Sequence, residues 1–400
     1  MLQVLPMICI LAGLALYGIL GGADFGAGFW QIAAGRGEQA QVIREHAHDS
    51  MAPVWEANHV WLIFVLTVMW TCYPRALGSI ASTLAFALAL GGLGILLRGA
   101  AYAMRTGASG RREERVIDTV LGGASIITPF ALGAAVGGVA SGRVPVGNAT
   151  GNLWTSWLNP TSIVVGVLAV ATGAYLSAVF LCGDVTRRDE PEVAERFRLR
   201  ALVMGVVAGA IAIAGLLVLH GDAHPLFHRL VQGNGLPALI VSVLAGTATM
   251  GLVWTRRYEP ARAASALAVA AIVAGWALAQ SPRILPGLTV TQAAAPHDTL
   301  VAVLVAIAVG GALLLPSLAT LFRLALGGKL TGGEAAVSAP AVRDATAPAH
   351  PRLLVRVAGA LLLAGFGLVN VANAEWAHLV GAACFVAFVA VGFRAAVPLD

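Results

Sequence analysis

About eleven apolar stretches, each long enough to cross roughly 30 Å of hydrocarbon, follow one another along this chain. They fall near residues 5–34, 54–73, 77–103, 116–140, 161–183, 199–219, 235–255, 262–280, 299–325, 353–372 and 376–396. Lipid supplies no partners for backbone N–H and C=O groups, so segments of this kind fold as helices that satisfy their own backbone. Charged residues make up only 11% of the 400, where a soluble domain carries about 25%. The fold class is therefore an all-α polytopic membrane protein. The first basic residue is Arg36, so residues 5–34 lack the basic leader of a signal peptide and are expected to stay as a helix.

The loops alternate in charge. Arg36 and Arg44 follow the first apolar segment, Arg105, Arg111, Arg112 and Arg115 the third, and Arg187, Arg188, Arg196, Arg198 and Arg200 the fifth. Arg256, Arg257 and Arg262 follow the seventh; Arg323, Lys329, Arg343 and Arg352 flank the loop between the ninth and tenth. The intervening loops hold roughly one arginine each: Arg75, Arg143, Arg229 and Arg283. Basic loops stay cytoplasmic, so the N-terminus is expected outside and the C-terminus inside. The net charge of +5 comes from these loop arginines, which fits contact with membrane lipid and gives no reason to expect nucleic acid.

Three ionisable residues interrupt apolar segments. Asp24 lies in Gly21-Gly-Ala-Asp-Phe-Gly-Ala-Gly28, where Gly22 and Gly26 form a small-xxx-small pair that allows a close helix approach. Glu56 lies in MAPVWEANHVW, residues 51–61, with Asn58 and His59 between two tryptophans. Arg98 lies in Ile95-Leu-Leu-Arg-Gly-Ala-Ala-Tyr102. Helical periodicity puts Glu56, His59 and Ile63 on one face, and Trp55, Asn58 and Leu62 on the next. Charges within a membrane helix must face protein or water, and the derived topology places Asp24, Glu56 and Arg98 together in the cytoplasmic half. Whether Asp24 and Arg98 form a structural ion pair or a proton or substrate route stays open. Glu56 and His59 both exchange protons near the cytoplasmic side, which favours a functional role.

Elsewhere the expectations are plainer. Asp118 opens the fourth segment, which Pro129 kinks. His46 and His48 sit in a charged loop and are expected to be solvated. His220, His224 and His228 have ligand-like spacing, but Gly221 and Pro225 are expected to interrupt any helix there, and no metal site is expected. The four cysteines are far apart inside or beside apolar runs and read as buried thiols. Residues 331–351 are rich in Ala, Pro and Gly and read as a flexible cytoplasmic linker. It divides a membrane domain of residues 1–330 from a C-terminal extension, residues 352–400, with two further helices.

Three blocks taken together carry a resemblance: Tyr17-Gly-Ile-Leu-Gly-Gly-Ala-Asp-Phe-Gly-Ala-Gly28, APVWEANHVWLI at 52–63, and Leu97-Arg98-Gly99. They resemble subunit II of cytochrome bd-type quinol oxidases, within the cyanide-insensitive-like branch. ASGRVPV at 140–146, Leu158-Asn-Pro160 and Trp276 with Gln280-Ser-Pro282 support the match, which covers roughly residues 1–330. The resemblance implies two four-helix bundles plus a peripheral helix, nine spans with the N-terminus outside, in the bacterial cytoplasmic membrane. It implies a homologous subunit I that carries haem b and haem d and passes electrons from quinol to O2. This chain would then ligate no haem, would scaffold that partner and would contribute a cytoplasmic proton path; some members also hold a quinone in this subunit. Glu56 stands where many members have Asp in a W-D-G-N motif, so the proton-uptake role carries over to it, with a side chain one methylene longer. Asp24 and Arg98 match the family's first-helix acid and third-helix arginine, while His59 stands where some members have Gln. The two added helices depart from the family; the oxidase periphery and a small accessory membrane subunit are both open as their contact.

A competing reading from another class is a secondary transporter or ion channel built on the Asp24, Glu56 and Arg98 cluster. The cluster's position toward one face and the lack of a clear inverted repeat weigh against it. A third is a structural scaffold whose polar cluster only locks helix packing.

Overall fold

The computed structural model describes residues 2–35, 41–44, 46–47, 55–105, 111–188, 190–326, 350–370 and 375–396. Among the described residues, each apolar segment of the sequence is helical. In order the helices are α1 (Leu5–Ala33), α2 (Trp55–Cys72), α3 (Pro74–Thr83), α4 (Ala85–Arg105), α5 (Arg111–Ala140), α6 (Pro160–Arg187) and α7 (Pro191–Asp222). A short α8 (His224–Val231) leads to α9 (Leu236–Trp254) and α10 (Tyr258–Gln280). A single-turn α11 (Val290–Ala293), α12 (His297–Leu326), α13 (His350–Asn370) and α14 (Glu375–Ala396) complete the chain. Among the described residues, eight helices carry an 18-residue stretch apolar enough to cross a membrane.

The chain divides into two compact units, Met1–Pro316 and Ser317–Asp400. In the second, α13 and α14 pack on each other, with the Gly365 Cα turned toward the Gly381 carbonyl and the Phe385 ring. The expected linker at 331–351 lies outside the described residues apart from His350 and Pro351, which open α13.

Two buried clusters organise the first unit. One gathers Val65, Met69 and Cys72 of α2 with Leu84, Ala134, Val144, Leu285 and Leu300. The other joins Ala27 and Trp30 of α1 to Ala174, Ala178 and Cys182 of α6 and Phe197 and Ala201 of α7. Trp30 Nε1 donates to the Ala174 carbonyl at 2.9 Å, so the large ring docks with its one polar atom satisfied.

The expected single segment at 77–103 is two helices. The ladder breaks at Leu84, whose φ of −99° and ψ of 23° leave the helical region. Small hydroxyl residues explain the break, because they offer backbone groups alternative partners. Ser79 Oγ and Ser82 Oγ donate back to the Arg75 and Gly78 carbonyls and accept from Gly147 N and Ala149 N of the following loop. The run of apolar letters conceals this pinning.

Two more expectations are corrected. His46 is not solvated: its side chain is 13% exposed and its Nε2 lies 2.8 Å from Glu190 Oε2, while Ile43 and Ala47 bury themselves in the second cluster. His48 lies outside the described residues. Gly221 does not interrupt α7, which continues to Asp222. The break falls at Ala223, and Pro225 sits in the first turn of α8, where its missing N–H is harmless.

Asp222 explains why α7 stops where it does. Arg143 Nη1 and Nη2 grip its two carboxylate oxygens at 2.9 and 2.6 Å, and Thr161 donates to Oδ2 from both N and Oγ1, at 3.2 and 2.6 Å. One carboxylate thereby ties the 141–159 loop and the start of α6 to the end of α7. Bidentate Arg–carboxylate bonds are among the stronger polar contacts, so Arg143→Ala is expected to lower stability by about 1–2 kcal/mol. Thermal unfolding of the purified subunit measures it; an unchanged transition would show that the clamp is idle.

A small hairpin follows α10: β1 (Arg283–Leu285) pairs antiparallel with β2 (Leu288–Thr289) around Pro286–Gly287, with Gly287 at φ +77°. Trp276 Nε1 donates to Gln280 Oε1, and Gln280 Nε2 donates to the Ile284 carbonyl, both at 2.7 Å. The Trp276 and Gln280 motif therefore anchors this hairpin.

Candidate functional site

Asp24 and Arg98 meet. Both side chains are fully buried, and Arg98 Nη2 donates to Asp24 Oδ1 at 2.5 Å and to the Asp24 carbonyl at 2.9 Å. Nη1 donates to Ser125 Oγ, and Nη2 also reaches the Tyr102 hydroxyl at 3.2 Å. The Phe25 and Tyr102 rings flank the guanidinium at 5.2 and 5.3 Å. The pair thus joins α1, α4 and α5, with an aromatic box around the cation.

Glycines make the approach possible. At Gly28 a Cβ would sit 2.0 Å from Ser125 Oγ and 2.9 Å from Arg98 Nη1. At Gly26 it would sit 2.0 Å from the Gly173 carbonyl oxygen of α6. Side-chain-free positions on two sides of α1 therefore let α5 and α6 close around Asp24.

Just before Asp24, Tyr17–Gly21 forms a π-helical turn. Such turns widen the helical ladder and often accompany functional sites. The Leu20 carbonyl accepts from Asn58 Nδ2 of α2 at 3.3 Å. His59, 9% exposed, packs edge-on against Tyr17 and Phe25 at centroid distances of 6.0 and 5.8 Å. Phe25 touches both His59 and Arg98, so the α2 imidazole and the Asp24–Arg98 pair share one wall. Glu56 is in the first turn of α2, but its side chain lies outside the described residues.

The structure thus brings together Asp24, Arg98, Asn58 and His59 of the expected set. Sequence reasoning passes over Ser125, Tyr102 and Tyr17. Tyr102 is findable, one helical turn after Arg98; Ser125 carries no signal in a Gly-Gly-Ala-Ser run. Among the described residues no group of three His, Cys, Asp or Glu side chains is placed to hold a metal. The His220 and His224 rings meet edge-to-face, with centroids 5.2 Å apart. Of the free cysteines, Cys72 and Cys182 are buried and Cys9 and Cys384 half-buried.

With this geometry in place, comparison with known proteins is direct. The family model described as "Cytochrome bd terminal oxidase subunit II" matches residues 2–325. A Bacillus subtilis (strain 168) protein named as a cytochrome bd menaquinol oxidase subunit II is 21% identical over 241 residues, 58% of this chain and 67% of that protein. Cytochrome bd-I ubiquinol oxidase subunit 2 of Escherichia coli (strain K12) is 27% identical over 222 residues, 53% of this chain and only 56% of that protein. In the solved bd oxidase of Geobacillus thermodenitrificans, a chain superposes with a TM-score of 0.69 at 24% identity, covering 81% of this chain and 98% of that one; at that identity the likeness shows the fold. Since the family match runs through α1 to α12 and takes in Asp24, Glu56, His59 and Arg98, the chain belongs to the cytochrome bd terminal oxidase subunit II family and is a subunit of a membrane terminal oxidase.

Proposed function

We propose that this chain is the non-haem-ligating subunit of a quinol:oxygen oxidoreductase, scaffolding a homologous haem-bearing subunit I and lending it a proton path from the cytoplasm. The observation that supports this is the buried Asp24–Arg98 pair against the wall formed by Phe25 and His59. Reduction of oxygen to water consumes protons, and a carboxylate held next to an imidazole and a guanidinium is a group that can take one up and pass it on. Glu56 at the start of α2 is the uptake residue in this reading, with Asn58 and His59 one turn further in. The basic loops support a cytoplasmic side for that end of α2 and an N-terminus outside.

The residues fit a subunit that leaves haem b and haem d to its partner. His59 packs edge-on against Tyr17 and Phe25, and His46 is engaged with Glu190. Residues 331–351 then serve as the linker between the oxidase domain, 1–330, and the two-helix extension, 352–400, whose contacts are the oxidase periphery or a small accessory subunit. A quinone bound in this subunit belongs to the same reading. The transporter alternative draws no support from the family match.

Glu56→Gln tests the path. In the assembled complex with an unaltered haem spectrum, quinol-driven oxygen consumption is expected to fall on the order of 10²-fold, as when a proton-transfer group is lost. Full turnover at full assembly would remove the proton path from the function of this subunit.

A further inference from the structure

Gln31 poses a problem that the Asp24–Arg98 pair does not solve. It is 4% exposed, and among the described residues neither its Nε2 nor its Oε1 meets a hydrogen-bonding atom. Asp24 Oδ2 and Arg98 Nε are likewise buried with no partner among the described residues. An unmatched buried amide is destabilising, and an apolar residue of similar volume would fill the place without that penalty. Asp24 and Gln31 are seven residues apart on α1, so they lie on one stripe of the helix, about 10 Å apart along its axis. Gly28 lies between them, with Ser125 Oγ and Arg98 Nη1 where its side chain would be. The stripe carries a polar side chain at each end, with Ser125 Oγ and Arg98 Nη1 facing Gly28 between them, and its Gln31 end is one turn from Gly35.

Internal water is the usual partner of buried polar atoms that the protein leaves unmatched. We propose that internal water molecules occupy the stripe between Gln31 and the Asp24–Arg98 pair, and that Gln31 is the positioning residue that holds this water as a branch of the proton route. The proposal rests on the proton-path reading above and extends it to a residue and a ligand. An amide suits this role, since it offers two donors and an acceptor and does not titrate; it orders water without trapping the proton. Each transfer moves a proton from one water to the next, finally to the free Asp24 oxygen, with no other bond made or broken. In this arrangement the end of α1 is a second mouth of the route, beside the one at Glu56.

The test uses the complete oxidase complex and three variants: Gln31→Leu, Gln31→Asn and Glu56→Gln. Gln31→Leu is expected to assemble with a normal haem spectrum, to lose about tenfold in quinol-driven oxygen consumption, and to show a larger solvent deuterium isotope effect. Gln31→Asn, which keeps the amide, is expected to recover most of the rate. A merely structural role would leave the isotope effect where it was. Thermal stability gives a second reading independent of turnover. In a dry seam Gln31→Leu removes an unmatched amide and raises the melting temperature; in a hydrated seam it expels water from Asp24 and lowers it. Wild-type turnover and isotope effect in Gln31→Leu, beside a slowed Glu56→Gln, would overturn the role of Gln31 and leave the proton path standing. Wild-type turnover in both would overturn the path itself.

Discussion

Arg98→Met is expected to lower the stability of the subunit by about 3–5 kcal/mol, because it leaves the Asp24 carboxylate buried without its cation. The native arrangement gives the guanidinium two bonds to Asp24, one to Ser125 and one to Tyr102, with Phe25 beside it. Methionine fills much of the volume and supplies none of those donors. Arg98→Lys is expected to be only a partial repair, since an ammonium cannot reproduce the planar fork that reaches Asp24 and Ser125 together. The informative companion is the double variant Asp24→Leu with Arg98→Met, which replaces the whole pair with apolar groups. Buried pairs exchanged in this way commonly regain stability, so the double variant should unfold nearer the wild-type temperature than either single one. If it does so and turns over slowly in the assembled oxidase, the pair serves the proton route. Normal turnover would make it a structural lock. A single Arg98→Met variant as stable as the wild type would show that Asp24 finds its compensation elsewhere.

Gly26→Ala is the second large effect. A methyl group there would lie 2.0 Å from the Gly173 carbonyl oxygen, 2.4 Å from its carbon and 2.7 Å from Ser177 Cβ. Two of those three atoms are backbone of α6, which cannot rotate aside as a side chain would. The helices must separate, and Trp30 then loses its bond to the Ala174 carbonyl on the same face. A loss of about 3 kcal/mol is expected, toward the upper side of what overpacking a core costs, measured as the shift in thermal unfolding in mild detergent. Gly22→Ala is the control. Its added methyl meets nothing nearer than 3.6 Å, an ordinary contact with Leu176, and should be tolerated. Equal behaviour of the two variants would contradict the close packing of α1 on α6.

The parts of this site that are legible in the sequence are those that violate the rule for apolar helices. Asp24, Glu56 and Arg98 stand out because a charge in a membrane segment demands an explanation. Their spacing along the chain, with the loop charges, leads to the expectation of one depth; the structure brings Asp24 and Arg98 together, while the Glu56 side chain lies outside the described residues. The second tier of contacts cannot be read this way. Ser125, Tyr17 and Gln31 are common in helices of any kind, and only packing shows that Ser125 bonds to Arg98, that Tyr17 lines the His59 wall and that Gln31 is buried with no partner among the described residues. The break at Leu84 has only Ser79, Ser82 and Thr83 as a local sign, and short hydroxyl residues of this kind also occur within continuous helices. The Arg143–Asp222 clamp joins residues 79 apart, beyond the reach of local pattern. The β-hairpin does have a signal in Pro286-Gly287, masked by the apolar residues on either side. Helices also begin earlier than the apolar pattern marks them, since Arg111 to Arg115 are charged but helical, and Pro191 to Arg198 is helical with charged residues between Val193, Ala194 and Phe197. Amphipathic ends of this sort extend a span beyond its hydrocarbon length.

The most direct test of the oxidase-subunit assignment is a reduced-minus-oxidised absorption spectrum of this chain, purified through a tag in mild detergent together with whatever it holds. The expected result is a co-purifying haem-bearing membrane subunit with b- and d-type bands, in stable stoichiometry with this chain. A well-folded, colourless chain that purifies alone under the same gentle conditions would contradict it.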